Sequence, residues 1–99
     1  MTRTDQAKFE LGQVVGTPQA VQFCGEQCID IVGLLRRHAS GDWGDLTQAD
    51  RLANDAAVLD GSRILSAYQF KAGKVWVLTD AADDLGSRAS TCVMLPADY

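Results

Sequence analysis

The spacing of apolar residues changes near Gly61. Before this residue, apolar side chains recur every three or four positions, which is typical of amphipathic helices. After it, they alternate with polar residues or form short continuous runs, which is typical of β-strands. The change predicts an α+β fold in which N-terminal helices pack on one face of a three- to four-stranded antiparallel sheet, built mainly from a C-terminal meander.

Two helices are predicted between residues 18 and 38. The first is expected over Pro18–Glu26, because Thr17 can cap it and a proline at the first helical position loses no needed hydrogen bond. The second is expected over about residues 28–38, where apolar residues keep the helical spacing. Gly25 interrupts the pattern between them, so one kinked helix is the alternative.

A third helix is predicted over Gln48–Asp60. Thr47 precedes it as an N-cap, Asp50 occupies the capping-box position three residues later, and Gly61 follows where a glycine stop is expected. This helix carries one apolar stripe with two flanking alanines: Leu52, Ala56 and Leu59, with Ala49 and Ala53 beside them.

The strands are predicted mainly after the third helix. Residues 63–70 and 74–79 are expected to form a hairpin, because the short segment between them contains Gly73. Residues 88–95 are expected to form the third strand of the meander. The earlier segment 9–15 also partly alternates, and it is a candidate strand at one edge of the sheet.

Chain length and cysteine content limit the class of protein. With 99 residues, the chain suits one domain, which we expect over residues 9–99 after a flexible N-terminus of residues 1–8. No apolar run approaches the roughly 20 residues that cross a bilayer, and the first residues lack the apolar core of a signal peptide. The three cysteines have no disulfide-framework spacing, so we expect a cytoplasmic protein without membrane contact.

The chain is acidic, with a formal net charge of −4 and a pI of about 4.7. Duplex binding draws most of its affinity from cationic contacts to phosphate, and the only clustered cations are Arg36 and Arg37. Charge therefore argues against a nucleic-acid partner. Net negative charge keeps a protein soluble, and it also attracts basic protein partners.

Several short motifs extend over nearly the whole chain. They are Phe9-Glu10-Leu11-Gly12-Gln13-Val14-Val15 with Thr17-Pro18, Leu35-x-Arg37-His38-x-Ser40-Gly41-Asp42-Trp43-Gly44-Asp45, Arg63-Ile64-Leu65-Ser66-Ala67-Tyr68, Lys74-Val75-Trp76-Val77-Leu78-Thr79 and Leu95-Pro96-x-x-Tyr99. In these motifs, over about nine-tenths of its length, the chain resembles a family of small proteins from bacterial plasmids and integrated mobile elements. Members are labelled plasmid-related or hypothetical, and sometimes restriction-modification subunits. The resemblance implies a genetic neighbourhood rather than an activity.

The leading hypothesis is a non-enzymatic module that binds or regulates a host or plasmid protein, with defence evasion as one such role. It rests on the resemblance, on the acidic charge and on the lack of a known catalytic motif in the sequence. Contacts are expected at two turn-rich segments, residues 41–45 and 80–87. The candidate binding residues are Asp42, Trp43, Asp45, Asp83 and Asp84.

A small ribonuclease-like enzyme is the alternative, using His38, Arg37 and Asp42. The imidazole pKa lies near neutrality, while Arg37 would stabilise an anion and Asp42 would orient the ring. A structural interpretation competes with it, because cations offset the dipole at a helix C-terminus, aspartates form turns, and Trp43 can fill the core between helix and sheet. The sheet residues available to such an enzyme are Arg63, Tyr68, Lys74, Arg88 and Ser90.

Two further possibilities concern metal binding and self-association. Cys24 and Cys28 could share a helical face and, with His38 or Cys92, bind zinc. Structural zinc sites use closer cysteine spacing, so burial as small apolar residues is the favoured interpretation, and no metal or cofactor is predicted. A second copy of the chain is a further candidate partner, through an uncovered edge or face of the sheet.

Overall fold

The computed structural model describes residues 7–99. The flexible segment predicted for residues 1–8 lies outside this range except at its end, where the Lys8 amide donates to the Ala39 carbonyl at 2.8 Å. Along the described residues, one strand is followed by three α-helices and then by three strands. In chain order they are β1 (Gln13–Gly16), α1 (Pro18–Glu26), α2 (Ile31–Ala39), α3 (Gln48–Asp60), β2 (Ile64–Phe70), β3 (Gly73–Thr79), β4 (Ser90–Met94) and a 3₁₀ turn (Pro96–Asp98).

The strands form one mixed sheet in the order β1-β4-β3-β2. β2, β3 and β4 are antiparallel neighbours, which confirms the predicted meander. β1 pairs with β4 in parallel, so the prediction of a wholly antiparallel sheet is wrong. The helices lie between β1 and the meander in the chain, and a connection of this length does not determine the direction in which β1 docks.

Side-chain caps determine where two of the three described helices begin. The Thr17 and Thr47 hydroxyls cap α1 and α3, and both helices have the predicted bounds. α2 begins at Ile31 rather than near residue 28, because Cys28 adopts a left-handed conformation with φ of 56°. α3 extends past the middle of the chain, so the prediction that the helices are N-terminal is wrong for this helix.

The helices cover one face of the sheet. α1 contributes Ala20 and Cys24 to the core, and α2 contributes Leu34. Burying a large apolar side chain stabilises a fold by roughly 1.5–3 kcal/mol, so this layer contributes to stability. A second apolar cluster, of Trp43, Ala57 and Ile64, lies between α3 and β2. The sheet side chains that meet the helices are Tyr68, Val75, Val77 and Val93.

α3 faces the sheet with an unexpected side. Its buried residues are Asn54 and Ala57, whereas its apolar stripe, which normally packs inward, points to solvent. Leu52 is 57% exposed and Leu59 is 89% exposed. The Asn54 side chain holds this orientation, because it donates to the Leu65 carbonyl at 2.8 Å and accepts from the Leu65 amide at 3.2 Å.

Hydrogen bonds within the chain close the outer edge of β2. The Ala67 amide donates to the Trp43 carbonyl at 3.1 Å, and the Ala67 carbonyl accepts from the Asp45 amide at 2.7 Å. The Gln69 amide donates to the Asp45 carboxylate at 2.8 Å. The outward amides of Leu65, Ala67 and Gln69 therefore all have hydrogen-bond partners, which protects this edge from pairing with another strand.

Gly44 is essential to the closed edge, and Gly86 offers a matched control. Both are left-handed, with φ of 78° and 83°. A Cβ on Gly44 would lie 2.2 Å from the Ala67 carbonyl oxygen, whereas no heavy atom lies within 4 Å of a Cβ on Gly86. We expect Gly44→Ala to lower the free energy of unfolding by at least about 3 kcal/mol and Gly86→Ala by about 1–2 kcal/mol, measured by urea titration. Equal losses in the two variants would contradict this account of the edge.

Candidate functional site

His38, the predicted general acid or base, is buried between α2 and the sheet. It lies in the last turn of α2 and is 0% exposed. Its Nδ1 lies 2.6 Å from the Ser66 Oγ on β2, and its Nε2 lies 2.8 Å from the Thr79 Oγ1 on β3. Both ring nitrogens are therefore hydrogen-bonded to hydroxyl groups of the sheet.

The hydrogen bonds around His38 run in one direction. The Leu11 carbonyl can only accept, so the Thr91 hydroxyl on β4 donates to it at 2.7 Å. Thr91 then accepts from the Thr79 hydroxyl, 2.7 Å away, and Thr79 accepts from the Nε2–H of His38. The Ser66 hydroxyl donates to the unprotonated Nδ1. We call this run, from Ser66 to the Leu11 carbonyl, the His38 chain.

The surroundings of His38 keep its ring neutral. Burial lowers the pKa of His38 to about 3, and the positive charge of Arg88 adds to the shift. Arg88 is itself buried, and it donates to the carbonyls of Ala57, Ser62 and Asp80 at 2.8 to 3.0 Å. A second cation here would meet both desolvation and repulsion. From this position, His38 has no solvent-exposed atom through which to exchange a proton with a substrate.

Arg37 and Asp42 form an ion pair on the surface. Arg37 Nε lies 2.7 Å from Asp42 Oδ2, and both side chains are about half exposed. The guanidinium lies 4.5 Å from the centre of the Tyr68 ring, whose hydroxyl donates to the Asp42 carbonyl. Their hydrogen bond raises the pKa of Arg37 and lowers the pKa of Asp42. Since His38 is buried, the three residues of the enzyme hypothesis do not open into a common pocket.

The predicted binding residues of the turn after α2 have partners within the chain. Trp43 is 5% exposed, and its Nε1 donates to Asp55 Oδ1 at 2.9 Å. Its ring stacks on Phe9, with centroids 6.1 Å apart. Asp42 and Asp45 take part in the ion pair and the edge closure described above. All three residues therefore hold the turn against the sheet.

Asp83 and Asp84 lie beside a different surface. Asp83 Oδ1 accepts from the backbone amides two and four residues later, both at 2.9 Å, and so shapes its own loop. Both aspartates are exposed, and together with Leu59 at the end of α3 they line a cleft of about 430 Å³. These two predicted binding residues are thus next to the exposed side of α3.

The apolar side of α3 is the feature that sequence reasoning did not assign to a site. We call Ala49, Leu52, Ala56 and Leu59 the α3 stripe, and all four residues are exposed. The helical spacing was detectable in the sequence. An apolar stripe normally packs against the core, however, so spacing alone does not indicate a surface.

The three cysteines have different surroundings. Cys24 is buried, Cys28 is exposed and Cys92 is half-buried. Burial raises the pKa of the Cys24 and Cys92 thiols. Among residues 7–99, no three side chains of histidine, cysteine, aspartate or glutamate are grouped as ligands for a metal ion.

The single histidine should make stability depend on pH. The pKa of His38 in the folded protein, about 3, lies below the ordinary value of 6.5, so between these values the unfolded chain binds the extra proton. The stability contribution is therefore full above pH 6.5 and decreases as the pH falls toward 3. From pH 7 to pH 5, we expect the free energy of unfolding to fall by about 2 kcal/mol, measured by urea titration.

His38→Gln is the control, because glutamine keeps hydrogen-bonding groups and does not titrate. This variant should be less stable than the wild type at pH 7 but nearly constant in stability from pH 7 to pH 5. The pKa values of Asp42, Asp60 and Asp98 are lowered from 3.8, so these three carboxyl groups titrate below this range. If the variant lost as much stability as the wild type, the neutral buried histidine would be disproved.

A comparison of the chain with protein-family models, with curated proteins and with solved structures found no match. Within residues 7–99, no helix is long and apolar enough to cross a membrane. The resemblance to plasmid and mobile-element proteins stays a prediction.

Proposed function

We propose that the chain is a non-enzymatic module that binds another protein through the α3 stripe. One observation carries the proposal: Leu52 and Leu59, on one side of α3, are 57% and 89% exposed. Two turns of helix separate them, so they lie on the same line along its surface. Exposed apolar surface that continues along an element marks an interaction site more often than isolated apolar residues do.

The spacing of the α3 stripe suits a helix as the partner. Its residues follow intervals of three, four and three, which is the spacing of a coiled-coil seam. Small alanines alternate with leucines, so a second helix can come close at the alanines while the leucines fill holes in its surface. The expected partner is an amphipathic helix with a matching apolar side.

Acidic residues border the Leu59 end of the α3 stripe. The cleft beside Leu59 is lined by four acidic residues and by two cations, of which Lys8 is exposed and Arg88 is buried. The acidic residues are Glu10, Asp60, Asp83 and Asp84. The whole chain has a net charge of −4. This excess of negative charge favours lysine or arginine next to the apolar side of the partner helix, because complementary charges steer association and exclude wrong partners.

Two further points support a binding role. His38 lies in the core while Arg37 and Asp42 lie on the surface, so the enzyme hypothesis has no assembled site among the described residues. The resemblance to mobile-element proteins supports regulation of a host or plasmid protein, with defence evasion as one form of it. The cytoplasm stays the expected compartment.

Affinity capture from a bacterial lysate tests the proposal with matched variants. Leu52→Gln combined with Leu59→Gln removes the α3 stripe, while Val32→Thr changes a residue on α2 that is also 57% exposed. We expect the wild type and V32T to retain the same protein, and the double variant to retain at least about tenfold less of it.

Salt and folding controls complete this experiment. Raising the salt concentration should weaken retention by the wild type, because exposed charges are screened. Circular dichroism should be the same for all three proteins, since the exchanged side chains are exposed. Equal retention by the three proteins, or no protein retained by the wild type, would contradict the proposed function.

A further inference from the structure

β1 is the open edge of the sheet. The amides of Gln13 and Thr17 donate to backbone carbonyls in the β4 segment, so these residues face β4. Backbone groups alternate in direction along a strand, and those of Val14 and Gly16 therefore point away from the sheet. Within residues 7–99, these outward backbone groups have no hydrogen-bond partner, whereas the outward amides at the edge of β2 do.

The chain segment that forms this edge is uncharged, and a carboxylate lies only at its end, where Asp98 accepts from the Thr17 hydroxyl at 2.6 Å. Residues 11–25 contain no aspartate, glutamate, lysine, arginine or histidine, although 22% of the whole chain is charged. The segment includes β1 and almost all of α1. Charged residues on an edge strand are a common protection against pairing between copies, and the sequence of β1 has none.

Exposed valines lie along the same edge. Val14 and Val15 on β1 are 46% and 42% exposed, and Val21 on α1 is 52% exposed. Gly16 has no side chain, and Val21 packs closely over it on the side of the sheet that faces the helices, because the Val21 Cγ2 would lie 3.1 Å from a Cβ on this glycine. A side chain opposite Gly16 on a neighbouring strand would therefore meet Val21.

We infer that the chain forms a two-fold dimer in which β1 pairs in antiparallel fashion with β1 of a second copy. In this register, Val15 of each copy meets its counterpart on the axis. The outward backbone groups of Val14 exchange hydrogen bonds with those of Gly16 in the other copy. Each Val14 side chain then lies opposite a Gly16 and against the Val21 that covers it, and the two sheets become continuous.

Charge favours a second copy over an unrelated strand. Two chains of net charge −4 repel each other, so a surface for self-association must keep their acidic groups apart. The uncharged β1 segment meets this condition, because Asp98 lies beside Thr17 at its end and away from the axis at Val15. The pairing of Val14 with Gly16 is self-complementary, as two-fold pairing requires. The α3 stripe has acidic borders and does not meet it, so this dimer is independent of the proposed docking surface.

Sedimentation equilibrium up to about 100 µM protein tests the inference. Val15→Lys places two like charges on the axis, and Val14→Pro removes an outward amide while leaving the hydrogen bonds to β4, because proline is tolerated on edge strands. The wild type should be dimeric, and both variants should dissociate at least about tenfold more readily. Val32→Lys, a charge at an exposed position on α2, should remain dimeric.

Two further measurements decide between the surfaces. The amides of Val14 and Gly16 should exchange with solvent more slowly as the wild-type concentration increases, a readout that needs no variant. The double variant L52Q/L59Q should remain dimeric, which separates this inference from the proposed function.

A monomeric wild type, or a dimer that persists in V15K and V14P, would overturn the inference. Loss of the dimer only in L52Q/L59Q would assign self-association to the α3 stripe and overturn it as well.

Discussion

The His38 chain joins the helical layer to the sheet through hydrogen bonds in the core. His38 comes from α2, its partners come from β2, β3 and β4, and the run ends on the Leu11 carbonyl just before β1. A broken bond in this run leaves a buried polar atom unpaired, which costs roughly 1–3 kcal/mol. The run thereby holds α2, β2, β3, β4 and the segment at Leu11 in one arrangement. Histidine is the residue type most often used for proton transfer, and here it joins the layers of the fold.

α3 is held by polar contacts and by Ala57, which packs with Trp43 and Ile64, rather than by its leucines. Asn54 binds the β2 backbone, Asp55 accepts from Trp43, and the Ala57 carbonyl accepts from Arg88. The α3 stripe is therefore free at the β2 side of the sheet, while the uncharged β1 edge lies at the opposite side. A dimer through β1 would carry two α3 stripes, and two weak contacts to a partner would reinforce each other.

Features that depend on neighbouring residues could be predicted from the sequence. Threonine caps and a glycine stop determine α3, and alternation determines the meander. The direction of β1, the inward position of Asn54 and the burial of His38 depend on contacts between distant residues, which no local pattern contains. Asp42, Trp43 and Asp45 suit either a binding surface or a turn by residue type, and only their contacts distinguish the two roles. Asp83 and Asp84 line a cleft with Leu59, because Leu59 points outward. The sequence pattern did not predict that orientation.

The protonation state of His38 is the most direct test, because the direction of the whole hydrogen-bonded run follows from it. Nitrogen-15 NMR of the imidazole, at pH 5, reports the charge and the tautomer of the ring, and the chain has a single histidine to observe. We expect a neutral ring with its proton on Nε2, at a pH where an exposed histidine is mostly charged. An imidazolium at pH 5, or a neutral ring protonated on Nδ1, would contradict the His38 chain as described.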